Sequence, residues 1–486
     1  MAAVLHDQLV QKLTAVNQQH LFQFYGQLTS AQQVAFDQQL ASLDWTLIHQ
    51  LVETVVKHPE KFALPHNVQP APYYEHRPSD PAKKEKLCQA FARGEELLRT
   101  GKVAAFVVAG GQGTRLGWDA PKGTFPATPI KRKPLFQCFA EYLLAMGRRC
   151  GRDIPLYVMT SPLNDAPTRA YWKEHHNFCI KAENLMFFPQ DSLPAVSIDG
   201  KVLLEQKDSL ALSPNGHGGS LLALFKSGAI ADMARRGITQ ISYFQVDNPV
   251  VRCVDPLFLG LHDLDGAQMS SKMLHKVAPK EKLGNFCLID GKVSIIEYSD
   301  LPDELAEQRL PNGDLRFRAG SIALHAIRRD FVEELNGHGF TLPYHRAEKK
   351  VPYIDPATGQ TVKPHHPNAV KMETLVFDAL PLARTSIIYE TDRVDDFAPI
   401  KNPEGVDSAV SSRQITSLRN ALWLKAAGIA VPMKPATGAH GEVSVDGQIA
   451  DCTLEIAPSF ALYPDDVKAN KDKVPTMKAG AEVYLE

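Results

Sequence analysis

The sequence predicts an α/β fold built around a doubly wound central domain, and two observations support that prediction. The run VAAFVVA at residues 103–109 is continuously apolar and is followed by glycines, which is typical of a strand buried on both faces of a parallel sheet. Similar runs, IPLYVMTS, LMFFPQ and ITQISYFQVDN, alternate along the chain with the helical segments PLFQCFAEYLLAMGRRC and SLLALFKSGAIADMARRG. Such alternation is the pattern of a doubly wound α/β domain.

A helical N-terminal region is predicted over residues 1–97. The segments LHDQLVQKLTAV and LASLDWTLIHQLVETVV space their apolar residues three and four apart, and Ser42 with Asp44 is a candidate cap for the second helix. The proline-rich stretch HPEKFALPHNVQPAPYYEHRPSDP predicts a connector, and a further helix is expected over Lys83 to Thr100.

The central domain is assigned to residues 98–400. Within it, NFCLIDGKVSIIEYS predicts a hairpin that turns at Asp290-Gly291, RTSIIYE predicts one of the last strands, and KMETLVF at 371–377 has helical spacing. Beyond it, alternating stretches such as GEVSVDGQIADCTLEIAP predict a small β-rich C-terminal domain over residues 401–486.

Composition excludes several classes of protein. The formal net charge is −2 and 22% of residues are charged, so no bulk attraction to nucleic acid or to an anionic membrane is expected. The seven cysteines form no CxxC pair, and HHNFC at 175–179 lacks a second ligand pair nearby, which favours reduced thiols. The N-terminus lacks the pattern of a secretory signal, and no apolar run approaches the ~20 residues of a membrane helix, so we expect a soluble cytoplasmic protein.

The most informative stretch is VVAGGQGTRLGWDAPKG, which follows the first predicted strand of the central domain. It matches neither the dinucleotide fingerprint nor the P-loop. Gly110 and Gly111 would still let the backbone approach a phosphate, and Arg115 and Lys122 place two cations in one short loop. The alternative is a tight turn with surface charges.

Two further stretches carry candidate ligand residues. SPNGHGGSLLALF places Gly216 to Gly219 before a helix, either as a wall of a ligand pocket or as a capping turn near Ser220. YFQVDNP ends a predicted strand in Asp247, which is a candidate Mg²⁺ ligand because ligands of open α/β sheets lie beyond the carboxyl ends of the strands. The alternative for Asp247-Asn248 is an Asx turn.

Isolated polar residues give weaker indications. Gln190 could bind an amide edge, Glu297 could accept hydrogen bonds from sugar hydroxyls, and Lys401 in FAPIKN could bind phosphate. A surface glutamine, a salt-bridged hairpin acid and a solvated lysine are the respective alternatives.

Taken together and in this order, these stretches resemble the UDP-sugar pyrophosphorylase family. The motifs that carry the resemblance are VVAGGQGTRLGWDAPKG, FFPQDSLPA, NGHGG, QVDNP, GNFCLIDGKVSIIEYSD, AGSIALH, KMETLVFD and FAPIKN. The chain is most similar to the eukaryotic-type UDP-N-acetylglucosamine pyrophosphorylases, strongly over residues 95–405, loosely before them and poorly after them.

The resemblance implies a Rossmann-like nucleotidyltransferase domain of the glycosyltransferase-A type with a mixed sheet. The implied reaction joins UTP and a sugar 1-phosphate, most simply N-acetylglucosamine 1-phosphate, into a UDP-sugar and pyrophosphate with Mg²⁺. Nucleic acid and membranes are not expected partners, and either a monomer or a dimer is compatible with the sequence.

The resemblance also implies roles for individual residues. Arg115, Lys122 and Lys401 would bind the phosphates and support catalysis, and Asp247 would bind the metal. The residues implied to bind the nucleotide are Val108, Ala109, Gly110, Gly111, Gly113, Thr114, Gln190, Gly216 and His217. Those implied to bind the sugar are Gly284, Glu297, Ser321 and Phe377.

Three positions depart from the pattern of the N-acetylglucosamine enzymes. His217 and Ser321 stand where asparagine is expected, and Leu375 stands where phenylalanine is expected near the acetamido pocket. Glucose 1-phosphate as the substrate, or a broad specificity, therefore stays open. A nucleotide-sugar sensor without turnover is the alternative from another class, although a pure binding protein has little need for so many cations around the phosphates.

Overall fold

The computed structural model of the chain describes residues 2–59, 63–337, 339–340, 342–439 and 441–486. Within these residues the α-helices are α1 Ala2–Ala15, α2 Ser30–Ala41, α3 Trp45–Leu51, α4 Pro81–Arg99, α5 Leu135–Cys150, α6 Asp165–Glu174, α7 Gly219–Lys226, α8 Ala229–Arg235, α9 Pro256–Leu264, α10 Asp303–Ala306, α11 Arg329–Gly337, α12 Arg393–Asp396, α13 Ala409–Ala426 and α14 Pro464–Ala469.

The strands found in the described residues are β1 Val68–Pro70, β2 Val103–Val108, β3 Leu156–Thr160, β4 Leu185–Pro189, β5 Ser192–Pro194, β6 Val196–Ser197, β7 Leu204–Gln206, β8 Ser209–Leu210, β9 Leu212–Pro214, β10 Gln240–Gln245, β11 Met269–His275, β12 Asn285–Ile289, β13 Lys292–Ile296, β14 Ala319–Arg328, β15 Tyr344–Lys349, β16 Tyr353–Ile354, β17 Thr361–Val362, β18 Ala369–Thr374, β19 Ile388–Glu390, β20 Met433–Pro435, β21 Gln448–Ala450, β22 Thr453–Ile456 and β23 Glu482–Leu485.

The chain forms two compact units, each made of three segments. The first unit consists of Met1–Ala63, Gln190–Leu222 and Thr341–Asp378. The second unit consists of Leu64–Pro189, Ala223–Phe340 and Ala379–Glu486.

A mixed ten-stranded sheet organises the second unit and confirms the predicted α/β fold class. The strands β10, β2, β3 and β4 run parallel in that spatial order, and β14 pairs antiparallel with β10. The first five residues of β2 are buried, as the unbroken apolar run predicts for a strand covered on both faces. Because β2 and β10 are adjacent and parallel, the residues that follow Val108 and Gln245 leave the sheet at the same edge.

Close helix packing covers this sheet. A Cβ atom at Gly94 in α4 would lie 1.8 Å from the carbonyl oxygen of Pro256, and one at Gly260 in α9 would lie 1.7 Å from that of Ala90. The two helices therefore approach closely enough to exclude any side chain at these two positions. The helix predicted over Lys83 to Thr100 is confirmed as α4.

Helices α1 to α3 of the first unit confirm the predicted helical start of the chain. The Oδ1 atom of Asp44 accepts hydrogen bonds from the backbone N–H groups of Thr46 and Leu47, both at 3.0 Å, so Asp44 caps α3 as predicted. Ser42 instead ends α2. Residues 60–62 of the predicted connector lie outside the described residues.

The helical spacing assigned to KMETLVF is wrong. Its first four residues belong to β18, which pairs antiparallel with β15, and a 3₁₀ turn follows at Val376–Ala379. Val370, Met372 and Thr374 are buried and alternate with partly exposed residues, so the apolar period is two. Over so short a segment, a period of two and a period of 3.6 share several positions, and strand pairing decides between them.

The remaining strand predictions are confirmed. β12 and β13 form the expected hairpin, with Asp290 at φ 50° and Gly291 at φ 77°, as a type I′ turn requires. RTSIIYE contains β19, and GEVSVDGQIADCTLEIAP contains β21 and β22. The description of residues 401–486 as β-rich needs correction, because their longest element is α13, which begins with a capping box at Ser408 and Ser411.

In the described part of the chain no helix is long and apolar enough to cross a membrane. All seven cysteines are free thiols.

Candidate active site

The glycine-rich loop after β2 is closed on itself by backbone hydrogen bonds. The N–H of Lys122 donates to the carbonyl of Gly111 at 3.1 Å, and that of Gly113 donates to Ala120 at 3.0 Å. These two bonds join the start of the loop to its end. Lys122 is therefore held beside Gly111, at the opposite end of the same loop.

The glycines of this loop serve two different purposes. A Cβ atom at Gly113 would lie 2.7 Å from the carbonyl oxygen of Trp118, so packing accounts for that glycine. A Cβ atom at Gly110 would come no closer than 3.4 Å to Ser161, and one at Gly111 would come no closer than 4.0 Å to Lys122. Packing does not demand glycine at these two positions, which fits a backbone left open to a ligand.

Asn164 holds this loop in place, and the sequence interpretation missed it. Its buried Nδ2 atom donates to the carbonyls of Ala109 at 2.9 Å and Gly111 at 3.2 Å. Its Oδ1 atom accepts from the backbone N–H of Ser161 at 2.7 Å and from the Ser161 hydroxyl at 3.1 Å. The side chain thus connects the loop after β2 to the end of β3. The only signal in the sequence is an asparagine shortly after a buried strand.

Lys122 lies beside the carboxylate of Asp247, beyond the carboxyl ends of β2 and β10. Lys122 Nζ lies 3.7 Å from Asp247 Oδ2, and both side chains are largely buried, at 16% and 14% exposed. Burial lowers the pKa of Lys122, the negative charge of Asp247 opposes this, and the positive charges of Lys401 and Arg115 lower the pKa further. Lys401 and Arg115 are thus near enough to Lys122 to affect its pKa, and such a group of cations is suited to a polyanion.

Lys401 reaches this site because its segment is fixed to the end of β10. The N–H of Ile400 donates to the carbonyl of Asp247 at 2.8 Å, and the N–H of Lys401 donates to that of Asp407 at 2.6 Å. The Asp407 carboxyl has its pKa raised by burial and by Asp247, against the effect of Lys401. Asp407 was not predicted, since its separation from Asp247 in the sequence gives no sign of their proximity.

The structure brings together three of the predicted sugar ligands in the second unit. The N–H of Ser321 donates to the carbonyl of Gly284 at 2.8 Å. A Cβ atom at Gly284 would lie 3.3 Å from Glu297 Oε1 and 2.7 Å from Ile295 Cγ2. A larger residue at position 284 would therefore displace Ile295 and crowd the Glu297 carboxylate.

Two of the predicted ligands in the first unit, His217 and Phe377, lie side by side. The N–H of Val376 donates to His217 Nδ1 at 3.1 Å, and the ring of Phe377 lies 5.8 Å from the imidazole, centroid to centroid. Burial lowers the pKa of His217 to about 4, so its ring is neutral at pH 7. Because Nδ1 accepts a hydrogen bond, the proton resides on Nε2, which can donate to a ligand.

Gly216 and Gln190 also belong to the first unit. Gly216 has φ 84°, and a Cβ atom there would lie 2.3 Å from the carbonyl oxygen of Thr374. Both conformation and packing therefore require glycine at this position. The side chain of Gln190 is buried.

The donor set around Asp247 fits a magnesium ion that shares its coordination with a substrate. Among the described residues, no three His, Cys, Asp or Glu side chains are grouped to hold a metal. Mg²⁺ is commonly held by one or two carboxylates together with water and substrate phosphates, so a single aspartate is a suitable protein ligand.

Known proteins are similar to this chain over most of its length. The sequence profile of the family described as UTP–glucose-1-phosphate uridylyltransferase matches residues 66–420. UDP-N-acetylhexosamine pyrophosphorylase-like protein 1 from Homo sapiens is 35% identical over 436 residues, which are 86% of this chain and 85% of the relative. UDP-N-acetylglucosamine pyrophosphorylase from Saccharomyces cerevisiae is 36% identical over 360 residues, which are 72% of this chain and 75% of the relative.

One solved structure has the same fold as this chain. The uridine diphosphate N-acetylglucosamine pyrophosphorylase from Trypanosoma brucei, crystallised with an inhibitor, has a TM-score of 0.76 and 21% sequence identity. The match covers 99% of this chain and 98% of the solved chain, so the two share one fold along nearly their whole length.

Proposed function

The chain belongs to the UTP–glucose-1-phosphate uridylyltransferase family and is a nucleotidyltransferase, and we propose that it joins UTP to N-acetylglucosamine 1-phosphate. The products are UDP-N-acetylglucosamine and pyrophosphate. The choice of sugar is supported by the yeast relative, which is named for it. The observation that carries the chemistry is the contact of Lys122 with Asp247, with the positive charges of Lys401 and Arg115 acting on Lys122.

The proposed reaction is an in-line displacement at phosphorus. A phosphate oxygen of the sugar 1-phosphate attacks the α-phosphorus of UTP, the bond from that phosphorus to the oxygen bridging to the β-phosphorus breaks, and pyrophosphate leaves with the electron pair. Two anions must meet, so Arg115, Lys122 and Lys401 would neutralise and orient the phosphates. No covalent intermediate with a side chain is needed.

Asp247 is the proposed protein ligand of Mg²⁺. When bound, the ion supplies positive charge to the triphosphate and to the leaving pyrophosphate. Lys122 lies 3.7 Å from the same carboxylate and would bind a phosphate oxygen beside it.

The remaining predicted residues are proposed as substrate ligands. Those proposed for the nucleotide are Val108, Ala109, Gly110, Gly111, Gly113, Thr114, Gln190, Gly216 and His217. Those proposed for the sugar are Gly284, Glu297, Ser321 and Phe377. We also propose the division into residues 1–97, 98–400 and 401–486 as the functional organisation, and a cytoplasmic location.

A second candidate substrate is glucose 1-phosphate. It is favoured by His217, which stands where the resemblance to the N-acetylglucosamine enzymes leads us to expect asparagine. It is also favoured by Ser321, which has a shorter side chain than the asparagine that the resemblance leads us to expect.

The test is pyrophosphate release from UTP and Mg²⁺ with each sugar 1-phosphate in parallel at equal concentration. A higher kcat/KM for N-acetylglucosamine 1-phosphate would support the proposal, and a higher kcat/KM for glucose 1-phosphate would select the second candidate. UTP binding without pyrophosphate release from either sugar would contradict both and favour a sensor. As a matched variant, His217→Asn combined with Ser321→Asn should move the ratio of kcat/KM values towards the acetamido sugar.

A further inference from the structure

Asn248, which follows Asp247, clamps the segment that leads to Lys401. Its side chain is buried at 4% exposed. Its Nδ2 atom donates to the carbonyl of Asp396 at 2.6 Å, and its Oδ1 atom accepts from the N–H of Ala398 at 3.1 Å. With the bond from Ile400 to the Asp247 carbonyl, the end of β10 makes three hydrogen bonds to residues 396–400.

The start of this segment is anchored by buried charges. Lys272 Nζ lies 2.6 Å from Asp255 Oδ2 and 2.5 Å from Asp396 Oδ2, and its side chain is only 2% exposed. Arg252 Nη1 lies 3.3 Å from Asp396 Oδ1, and the Thr391 hydroxyl donates to Asp396 Oδ2 at 2.5 Å. Burial opposes ionisation of Asp396, but Lys272 and Arg252 hold the pKa of that carboxyl well below its usual range.

These buried ion pairs fix the position of Asp396 more than they add to the free energy of unfolding. A buried ion pair is costly to desolvate, and replacing it with apolar residues is often neutral or stabilising. Its directional bonds nevertheless fix Asp396 against the strand β11, which carries Lys272. Asn248 then binds the backbone of Asp396 and of Ala398. The chain therefore has little conformational freedom left before Lys401.

We infer that Asn248 is a positioning residue which, together with the Asp396–Lys272 anchor, sets the place of Lys401 relative to Asp247. Asn248 acts through Lys401 and contacts no substrate in this inference. The inference rests on the proposed function in one respect, namely that Lys401 binds phosphate. The position of the segment itself can be tested without turnover.

The kinetic test is a double-mutant cycle of Asn248→Ala and Lys401→Ala, read as kcat and KM for UTP in pyrophosphate release. Asn248→Ala alone is expected to lower kcat by about tenfold or more, because small displacements of a phosphate ligand are costly. In the Lys401→Ala background the same change should alter kcat less than about twofold. Equal losses in both backgrounds, or no loss in either, would overturn the inference.

Asn420→Ala is the matched control. Asn420 is also buried, and its Nδ2 donates to the backbone carbonyl of Leu454 at 3.0 Å and not to residues 396–400. It should lower the thermal midpoint about as much as Asn248→Ala and leave kcat unchanged. If Asn248→Ala does not fold, Asn248→Ser takes its place in the cycle, since it keeps a small polar side chain.

Hydrogen exchange separates this inference from the proposed function. The amides of Ala398 and Ile400 donate hydrogen bonds in the clamp, so Asn248→Ala should speed their exchange while Asn420→Ala should not. Unchanged exchange would overturn the inference even in an active enzyme. Absence of turnover in the unmodified protein would refute the proposed function and leave the exchange result to decide on the clamp.

Discussion

Lys122 and Asp247 face each other across 3.7 Å, each in the stretch that follows one of two adjacent parallel strands. Two separate structural elements make this contact possible. The closed glycine-rich loop positions Lys122, and the end of β10 positions Asp247. The contact places a cation beside the proposed metal ligand, so that a phosphate could bind Lys122 directly and Asp247 through a shared Mg²⁺ ion.

Lys122→Ala is expected to lower kcat by about 10²-fold or more, the usual cost of losing one preorganised charge at a transition state. The measurement is pyrophosphate release, with the thermal midpoint as a check on folding. Lys350→Ala, which removes an exposed lysine, should leave kcat unchanged. Near-normal turnover by a folded Lys122→Ala variant would contradict the role.

Asn164→Ala should raise KM for UTP and lower kcat/KM by about tenfold, because the loop carbonyls of Ala109 and Gly111 lose their shared donor. Asn164→Asp should be more damaging, since a carboxylate would face the same two carbonyl oxygens. Steady-state kinetics over a range of UTP concentrations measures both effects. A milder effect of aspartate than of alanine would rule out the proposed interaction.

His217 should make the stability of the protein depend on pH. Its pKa is about 4 when folded and near 6.5 when unfolded, so between these values the unfolded chain binds the proton preferentially. Stability contributed by the neutral ring is therefore complete above pH 6.5 and is lost as pH falls towards 4.

His217→Asn should accordingly reduce the loss of thermal midpoint between pH 7 and pH 5. The exposed His366 provides the control, because His366→Asn should not alter the slope of the thermal midpoint against pH. A slope in His217→Asn identical to that of the unmodified protein would contradict the assignment of a buried neutral ring.

The turn at His176–Cys179 should favour glycine. Four consecutive residues there have φ of 50°, 51°, 48° and 67°, a left-handed conformation that costs non-glycine residues about 1–2 kcal/mol each. Cys179 is exposed, so its side chain contributes little packing. Cys179→Gly should therefore be more stable than Cys179→Ala by about 1 kcal/mol, measured by denaturant unfolding. If the free energy of unfolding of Cys179→Ala equalled or exceeded that of Cys179→Gly, the backbone of the turn would have relaxed out of the left-handed conformation.

Much of the fold could be predicted because its strands are locally distinctive. VAAFVVA is buried on both faces, and its apolar run leaves no competing interpretation. Asp247 and Lys122 could be proposed from sequence because both follow such strands, and parallel strands end at one edge. The prediction of helical spacing for KMETLVF was wrong because the segment is short and its apolar period is decided by the pairing of β18 with β15.

The supporting residues could not be predicted in the same way. Asn164, Asn248 and Asp407 act through hydrogen bonds or charges to partners that the sequence places elsewhere. An asparagine after a strand is most often a turn residue, and nothing local distinguishes one that braces a distant loop. Their role becomes visible only when the register of the sheet is known.

The three-segment construction of the first unit has a consequence for biosynthesis. Leu9 and Leu13 of α1 share a hydrophobic core with Val370 and Met372 of β18, which are translated some hundreds of residues later. The N-terminal helices leave the ribosome before β18 and must therefore wait, with apolar faces incompletely covered, until β18 has been made. The need for chaperones should therefore be greatest between the synthesis of these helices and that of β18. A transcript truncated before β18 should yield an aggregation-prone product.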